Sequence, residues 1–183
     1  IKVRLRHIPG AKEFVSAHPM VIEEEAALSC QGHWRQLFAS EGELLLESGM
    51  GRGRFIVSSA LREPETNFLG LELREELIMD GIARVKQDIP NLRFLHANAE
   101  LLAEMFAQGE LSRIYIHFPD PWPKSRHAKR RLTAVHYLEV YRKILAKQGE
   151  LLFKTDNRDL FEWSLVNFKE SGFVLEELDY DLQ

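Results

Sequence analysis

The chain of 183 residues holds a single cysteine, Cys30. An intramolecular disulfide is therefore impossible, and a zinc site built on cysteines is excluded. No apolar run approaches the ~18–20 residues a membrane span needs, and no secretory signal pattern is present. There is no internal repeat, no linker and no low-complexity stretch. His7, His18, His33, His96, His117, His127 and His136 fall at no metal-ligand spacing. No Ser-His-Asp order with a nucleophile elbow occurs. These absences predict a cytoplasmic protein with no resident metal. The chain opens at Ile1 rather than Met, so it is expected to be part of a longer gene product.

What is present is ordinary globular composition, 45% hydrophobic and 28% charged. The length fits a single domain with a real core, here expected over 1–183 with an irregular amino-terminal extension over about 1–35. The formal charge is −4, but it is unevenly spread. The run Lys124-Ser125-Arg126-His127-Ala128-Lys129-Arg130-Arg131 has five bases and no acid. Such a cluster on an acidic body neutralises phosphates in nucleic-acid binders, and it is equally the composition of a solvated loop. A smaller group, Lys2, Arg4 and Arg6, means little alone.

Hydrophobic segments alternate with helical patterns. Strands are predicted at 44–47, 68–72, 92–95, 114–118 and 151–153, and a last one at 173–178. Helices are predicted near 54–61, 73–89, 99–106, 132–145 and 160–168. This alternation predicts a parallel sheet covered on both faces. Such sheets bind ligands outside the carboxyl ends of their strands, so the residues immediately after each strand are the candidates.

After the first strand come Glu47, Gly49, Gly51 and Gly53. Closely spaced glycines let a backbone turn tightly against a ligand. The spacing is not that of a dinucleotide pyrophosphate loop, and Glu47 at the strand end disfavours a phosphate and suits a cation. After the second strand comes Glu72, an acid about 20 residues past the glycines, where ribose hydroxyls are commonly held. Together these favour an adenosine-containing cofactor. Asn98 comes after the third strand and suits either an adenine edge or a helix N-cap. After the fourth strand comes Phe118-Pro119-Asp120-Pro121-Trp122-Pro123-Lys124. Three prolines fix three φ angles, so this loop rigidly presents an acid, an indole and a cation, as a flat polar aromatic substrate requires. Asp156 and Asn157 come after the fifth strand, in reach of substrate or capping the next helix. Within the elements, Trp163 reads as core and His117 as a satisfied buried histidine.

The Pro-rich motif with Arg126-His127-x-Lys129-Arg130-Arg131-Leu132 after it resembles that of bacterial tRNA (guanine-N7)-methyltransferases of the single-chain type. Glu47-x-Gly49-x-Gly51-x-Gly53, Gly70-Leu71-Glu72, Thr155-Asp156-Asn157 and Phe161-Glu162-Trp163-Ser164 fall in that family's order, and the resemblance runs from about Arg4 to Leu178. It implies a class I methyltransferase: an α/β, Rossmann-like, doubly wound and mostly parallel seven-stranded sheet with helices on both faces. It implies that Glu47, Gly49, Gly51, Gly53, Glu72, Asn98 and Asp120 lie at an S-adenosylmethionine site, with Asp120 also the catalytic residue. Lys124 and Asp156 would contact substrate. Arg126, His127, Lys129, Arg130 and Arg131 would contact tRNA. The expected reaction is methyl transfer to N7 of guanine-46 in the tRNA variable loop. Asn98 departs from the family's usual Asp, and the family's carboxyl-terminal Thr-x-x-Glu motif is not reached before Gln183. The partner is expected to be tRNA, with no membrane and with a monomer or homodimer as the assembly. A methyltransferase acting on another RNA, a protein or a small molecule, a nicotinamide-dependent oxidoreductase, and a non-catalytic RNA-binding protein are the alternatives.

Overall fold

A computed structural model describes residues 7–181. Lys2, Arg4 and Arg6, and with them the start of the resemblance, lie outside the described residues. Six strands form one sheet: β1 (Val21–Glu23), β2 (Leu44–Ser48), β3 (Asn67–Glu72), β4 (Leu92–His96), β5 (Leu111–His117) and β6 (Leu145–Lys154). Their spatial order is β1-β4-β3-β2-β5-β6, and every pairing is parallel. The helices are α1 (Ala11–Ser16), α2 (Glu24–Leu28), α3 (Arg54–Arg62), α4 (Glu75–Arg84), α5 (Leu102–Met105), α6 (Val135–Ile144) and α7 (Arg158–Glu170).

The central strand shows why the sheet is two-sided. All five residues of β2 are buried, and successive side chains point to opposite faces. Leu44 and Leu46 join Leu138, Tyr141 and Ile144 of α6 and Phe168 of α7. Leu45 joins Ile56 and Val57 of α3 and Ile78 of α4 on the other face. Each leucine contributes about 1.5–3 kcal/mol relative to exposure. The amino ends of the strands are sealed by amides: Asn91 Nδ2 donates to the carbonyls of Ala60, Glu63 and Thr66 at 3.0, 3.0 and 2.8 Å. Asn67 Nδ2 donates to the Ser40 carbonyl at 2.9 Å.

Four departures from the sequence-based expectations have identifiable physical settings, beside shifts in other element bounds such as β6, which begins at Leu145 rather than 151. The sheet has six strands rather than seven among the described residues. Residues 173–178 form no strand. Phe173 folds back onto Phe168, with its N–H on the Phe168 carbonyl at 2.9 Å, and Phe173 and Leu175 pack on the core without joining a ladder among the described residues. Within the stretch expected to be irregular, residues 11–28 supply α1, α2 and edge strand β1, whose Val21, Ile22 and Glu23 align with Phe94, Leu95 and His96. The helix expected over 73–89 is confined to Glu75–Arg84. Glu72 captures the N–H groups of Leu73 and Arg74 at 2.9 and 3.1 Å, holding them out of the helix. At the other end, Ile89 precedes Pro90, which disfavours helical backbone.

Candidate functional site

Glu47, Glu72, His96 and His117 all stand at the carboxyl edge of the sheet. The strands β2 and β5 are neighbours there although distant in sequence, so this is where the winding of the sheet changes direction and a crevice opens.

The β2–α3 turn is built by Gly49, Gly51 and Gly53, with φ of +75°, +55° and +68°. Gly53 is required twice over: its φ is left-handed, and a Cβ there would lie 2.9 Å from the Gly81 Cα of α4. Gly51 is different, for a Cβ there would meet nothing within 4 Å. Its face is open to the crevice, and its N–H donates to Glu72 Oε2 at 3.0 Å.

Glu47 is 2% exposed. Its Oε1 lies 3.5 Å from His117 Nδ1, while its Oε2 is buried with no hydrogen-bond partner. Burial raises the Glu47 carboxyl above the ordinary carboxylate range, with the His117 hydrogen bond and the Ile56 N–H pulling it back. A buried carboxylate oxygen with no donor is costly and matches a cationic ligand group. Glu72 also titrates high because it is largely desolvated, opposed by the N–H groups of Arg74, Leu73 and Gly51. Those three bonds leave roughly one of its four acceptor positions for a ligand hydroxyl. The residues thus fit a ligand with a cationic end at Glu47 and hydroxyls at Glu72.

Asn98 caps the turn at 99–101: its Oδ1 accepts from the Glu100 N–H at 3.0 Å. Its own N–H donates to Glu24 Oε2 at 3.0 Å. The oxygen is committed to the cap, which leaves the Nδ2 donor for a ligand. His117 is largely buried as expected but not satisfied, since its Nε2 has no partner.

The loop after β5 has an unusual backbone. Phe118 and Trp122 have φ of +49° and +41°, a region disfavoured for bulky residues by about 1–3 kcal/mol each. They are the only non-glycine residues with positive φ among the described residues. Asp120 lies between them and is exposed. The Phe118 N–H donates to the Lys154 carbonyl at 2.8 Å. The other end is held by Arg131, which donates from Nε to the Pro121 carbonyl at 3.0 Å and from Nη2 to the Trp122 carbonyl at 3.1 Å. Its guanidinium lies 4.4 Å from the ring centroid of Trp163 on α7.

Lys124, Arg126, Lys129 and Arg130 are exposed and make no ion pair among the described residues. Residues Ser125–Arg130 form a 3₁₀ turn, with Arg130 stacked 5.0 Å above the Trp122 ring and His127 edge-on to it. Arg131 differs from this group in its surroundings. Expected to contact RNA, it is half-buried and bonded to the Pro-rich loop. Trp163, expected as core, packs against the core cluster and is also the platform for Arg131. A buried network reinforces the joint: Thr133 Oγ1 and Ser164 Oγ are 2.6 Å apart, and Asn167 Nδ2 donates to the Thr133 carbonyl at 3.0 Å. Asp156 is exposed in the turn after β6, and Asn157 caps α7 by accepting from Leu160 N–H at 2.8 Å.

Residues 41–183 match the family model described as "Putative methyltransferase". The protein "tRNA (guanine-N(7)-)-methyltransferase" of Geobacillus sp. (strain WCH70) is 42% identical over 185 residues, covering 98% of this chain and 82% of that protein. The protein of the same name from Bacillus licheniformis is 40% identical over 181 residues, covering 98% of this chain and 84% of that one. Among solved structures, the antibiotic-resistance methyltransferase Kmr aligns with a TM-score of 0.54 at 19% identity, over 77% of this chain and 83% of that one. An antibiotic-related methyltransferase aligns at 0.60 and 17% identity, over 80% and 76%. At such identities the likeness is one of fold.

Proposed function

This chain belongs to the tRNA (guanine-N(7)-)-methyltransferase family, and on that premise we propose that it methylates N7 of guanine-46 in the tRNA variable loop. The observation that carries the reading is a juxtaposition. An acid-lined glycine turn and a rigid acid-bearing loop sit at neighbouring strand ends, with a run of unpaired cations directly after the loop. A methyltransferase for a small molecule would use the first two and leave the third idle.

S-adenosylmethionine, the family's cofactor, supplies when bound a methyl carbon made electrophilic by a sulfonium. Glu47 offers its unpartnered Oε2 to the cofactor's amino group, Glu72 its remaining acceptor position to the ribose hydroxyls, and Asn98 its amide N–H to the adenine. The backbone at Gly49, Gly51 and Gly53 leaves the room between them.

The guanine N7 lone pair lies in the ring plane and carries no proton. No residue has to act as a base there, and the chain's work is alignment, which can supply about 7–11 kcal/mol of a bimolecular barrier. Asp120, in its rigid loop, is the residue assigned to the reacting base, accepting from its N1–H and amino group and balancing the positive charge that N7 acquires. Asp156 and Lys124 flank the same crevice and contact the nucleotide. Arg126, His127, Lys129 and Arg130 hold the RNA backbone.

The test is methyl transfer from labelled S-adenosylmethionine to an unmodified tRNA transcript, beside a transcript lacking the variable-loop guanine. Label in the first alone, released by cleavage chemistry specific for N7-methylguanine, is the expected result. Label in neither, from a protein that binds the cofactor, would move the substrate to another molecule.

A further inference from the structure

Phe118 combines two features that folding alone does not favour. Its φ is +49°, and the residue is 65% exposed, more than any other phenylalanine or tyrosine among the described residues. A phenylalanine normally gains by burial, and a left-handed bulky residue is normally replaced. Here the surroundings hold it in place. Its N–H is fixed to the Lys154 carbonyl, Pro119 constrains the next φ, and Arg131 anchors the far end of the loop. An observed backbone outlier in an ordered, braced loop points to a role outside folding. Among the described residues the ring belongs to no aromatic pair, unlike Phe55 of α3 and Tyr115 and His117 of β5, which pack on one another.

We propose that Phe118 is the stacking platform for the target guanine, a specificity and positioning surface that works with Asp120 at the base edge. The proposal rests on the guanine-N7 reading above. Three observations select a purine as the occupant. The ring stands two residues from Asp120 in one rigid loop. It directly follows β5, the strand beside β2, whose carboxyl end carries the glycine turn. Directly after its loop come cations that would bring a nucleic-acid strand to it. The chemistry adds a further reason. Guanine is neutral before transfer and cationic once N7 carries the methyl group. An aromatic face attracts a cation more than a neutral ring, so the contact strengthens as the methyl arrives and favours the transition state over the bound substrate.

The experiment compares Phe118→Ala, Phe118→Leu and Phe118→Tyr in the full chain. The readouts are single-turnover methyl transfer, tRNA affinity, S-adenosylhomocysteine affinity, and emission of 2-aminopurine placed at the target position. Because the ring is exposed, none of the three is expected to lower Tm appreciably. Phe118→Ala is expected to slow transfer about ten- to a hundred-fold, the usual range for losing one base–aromatic stack. Affinities for tRNA and S-adenosylhomocysteine are expected to change less than about threefold. Phe118→Tyr restores the rate. Phe118→Leu, apolar without a π face, stays slow. The 2-aminopurine emission, quenched by the unaltered protein, rises in Phe118→Ala. The proposal is overturned if transfer by Phe118→Ala stays within twofold of the unaltered protein, if Leu substitutes fully for Phe, or if S-adenosylhomocysteine affinity falls in step with rate, which would put the ring against the cofactor. Failure of the unaltered protein to label the transcript is a separate result and falls on the guanine-N7 reading itself.

Discussion

Replacing Arg131 by alanine separates two roles that its place in a basic run confuses. The structure makes it a clamp: two N–H bonds to the Pro121 and Trp122 carbonyls and a stack on Trp163. Bonds from a charged donor contribute about 1.5–3 kcal/mol each when buried. These are half-buried, so the freed carbonyls partly rehydrate and each bond contributes about 1 kcal/mol. The stack adds roughly 0.5–2 kcal/mol. The clamp is therefore worth about 2–4 kcal/mol, comparable to the ~1–3 kcal/mol of backbone strain at each of Phe118 and Trp122. Without it the loop is free to relax, and Asp120 moves with it. Misplacement of a reacting geometry by about an ångström costs on the order of 10²-fold in rate. Arg131→Ala is expected to lower turnover at saturating tRNA by about that factor. Tm falls by roughly 4–8 °C, as a loss of about 2 kcal/mol implies for a chain of this size. The tRNA dissociation constant and its salt slope should stay near those of the unaltered protein. Arg131→Lys should fail almost as badly, because an ammonium has neither the fork nor the flat face. Turnover and salt-dependent binding measured side by side decide the matter. Normal turnover at saturating tRNA with a salt slope reduced by about 0.7–0.9 would mean that Arg131 reads phosphate and that the clamp is idle.

The remaining expectations concern the same edge of the sheet. Arg126→Ala with Lys129→Ala should weaken tRNA binding and flatten the salt slope by about 0.7–0.9 for every phosphate no longer neutralised, with cofactor binding intact; titration across salt concentrations checks it. Asp120→Ala should leave tRNA affinity within a few-fold and abolish measurable transfer, read by labelled methyl incorporation. Glu47→Gln should abolish cofactor binding yet raise Tm. Burial lifts the Glu47 carboxyl above its unfolded value, so folding favours the protonated form; ionised Glu47 disfavours the fold at neutral pH, and that penalty disappears as pH falls below the ordinary carboxylate range. The gain in Tm should therefore be present near pH 7 and vanish near pH 4, as thermal melts at the two pH values would show. Gly53→Ala should destabilise by about 2 kcal/mol or more, because the left-handed φ costs about 1 and the Cβ would press on the Gly81 backbone. Gly51→Ala should cost only the conformational part while still impairing cofactor affinity, which paired denaturation and binding curves would separate.

The central sheet was legible because its strands are short apolar runs punctuated by glycine and proline, and every strand from β2 to β6 overlaps its expected span. The features that escaped depend on distant partners. Strand β1 is three residues, Val21–Glu23, among a cluster of acids, and only Phe94 and its neighbours make it a strand. Residues 173–178 have the apolar pattern of a strand but join no ladder among the described residues. Helix α4 starts late because of a carboxylate, Glu72, whose capture of two N–H groups no periodicity reveals. At the site, Glu47, Glu72 and Asp120 could be found by inspecting the carboxyl end of each strand. The roles of Arg131, Trp163 and His117 could not. Arg131 looks like its basic neighbours until α7 is folded beneath it, and His117 meets Glu47 only because β2 and β5 lie side by side. A tryptophan on a helix downstream of a basic run was the sole hint in the sequence.

The two ends of the sheet answer to different pressures. At the amino ends, the side-chain amides of Asn91 and Asn67 knit the connecting turns together. These bonds lie at the opposite end of the strands from the crevice. Substitutions at Asn91 should therefore appear in a cell as fewer molecules, each fully competent, whereas those at the opposite rim give a normal number of molecules that do less. Drift at one end can be offset by stabilising changes anywhere in the core, while drift at the rim cannot. A lineage of this protein would be expected to wander at its floor and keep its rim.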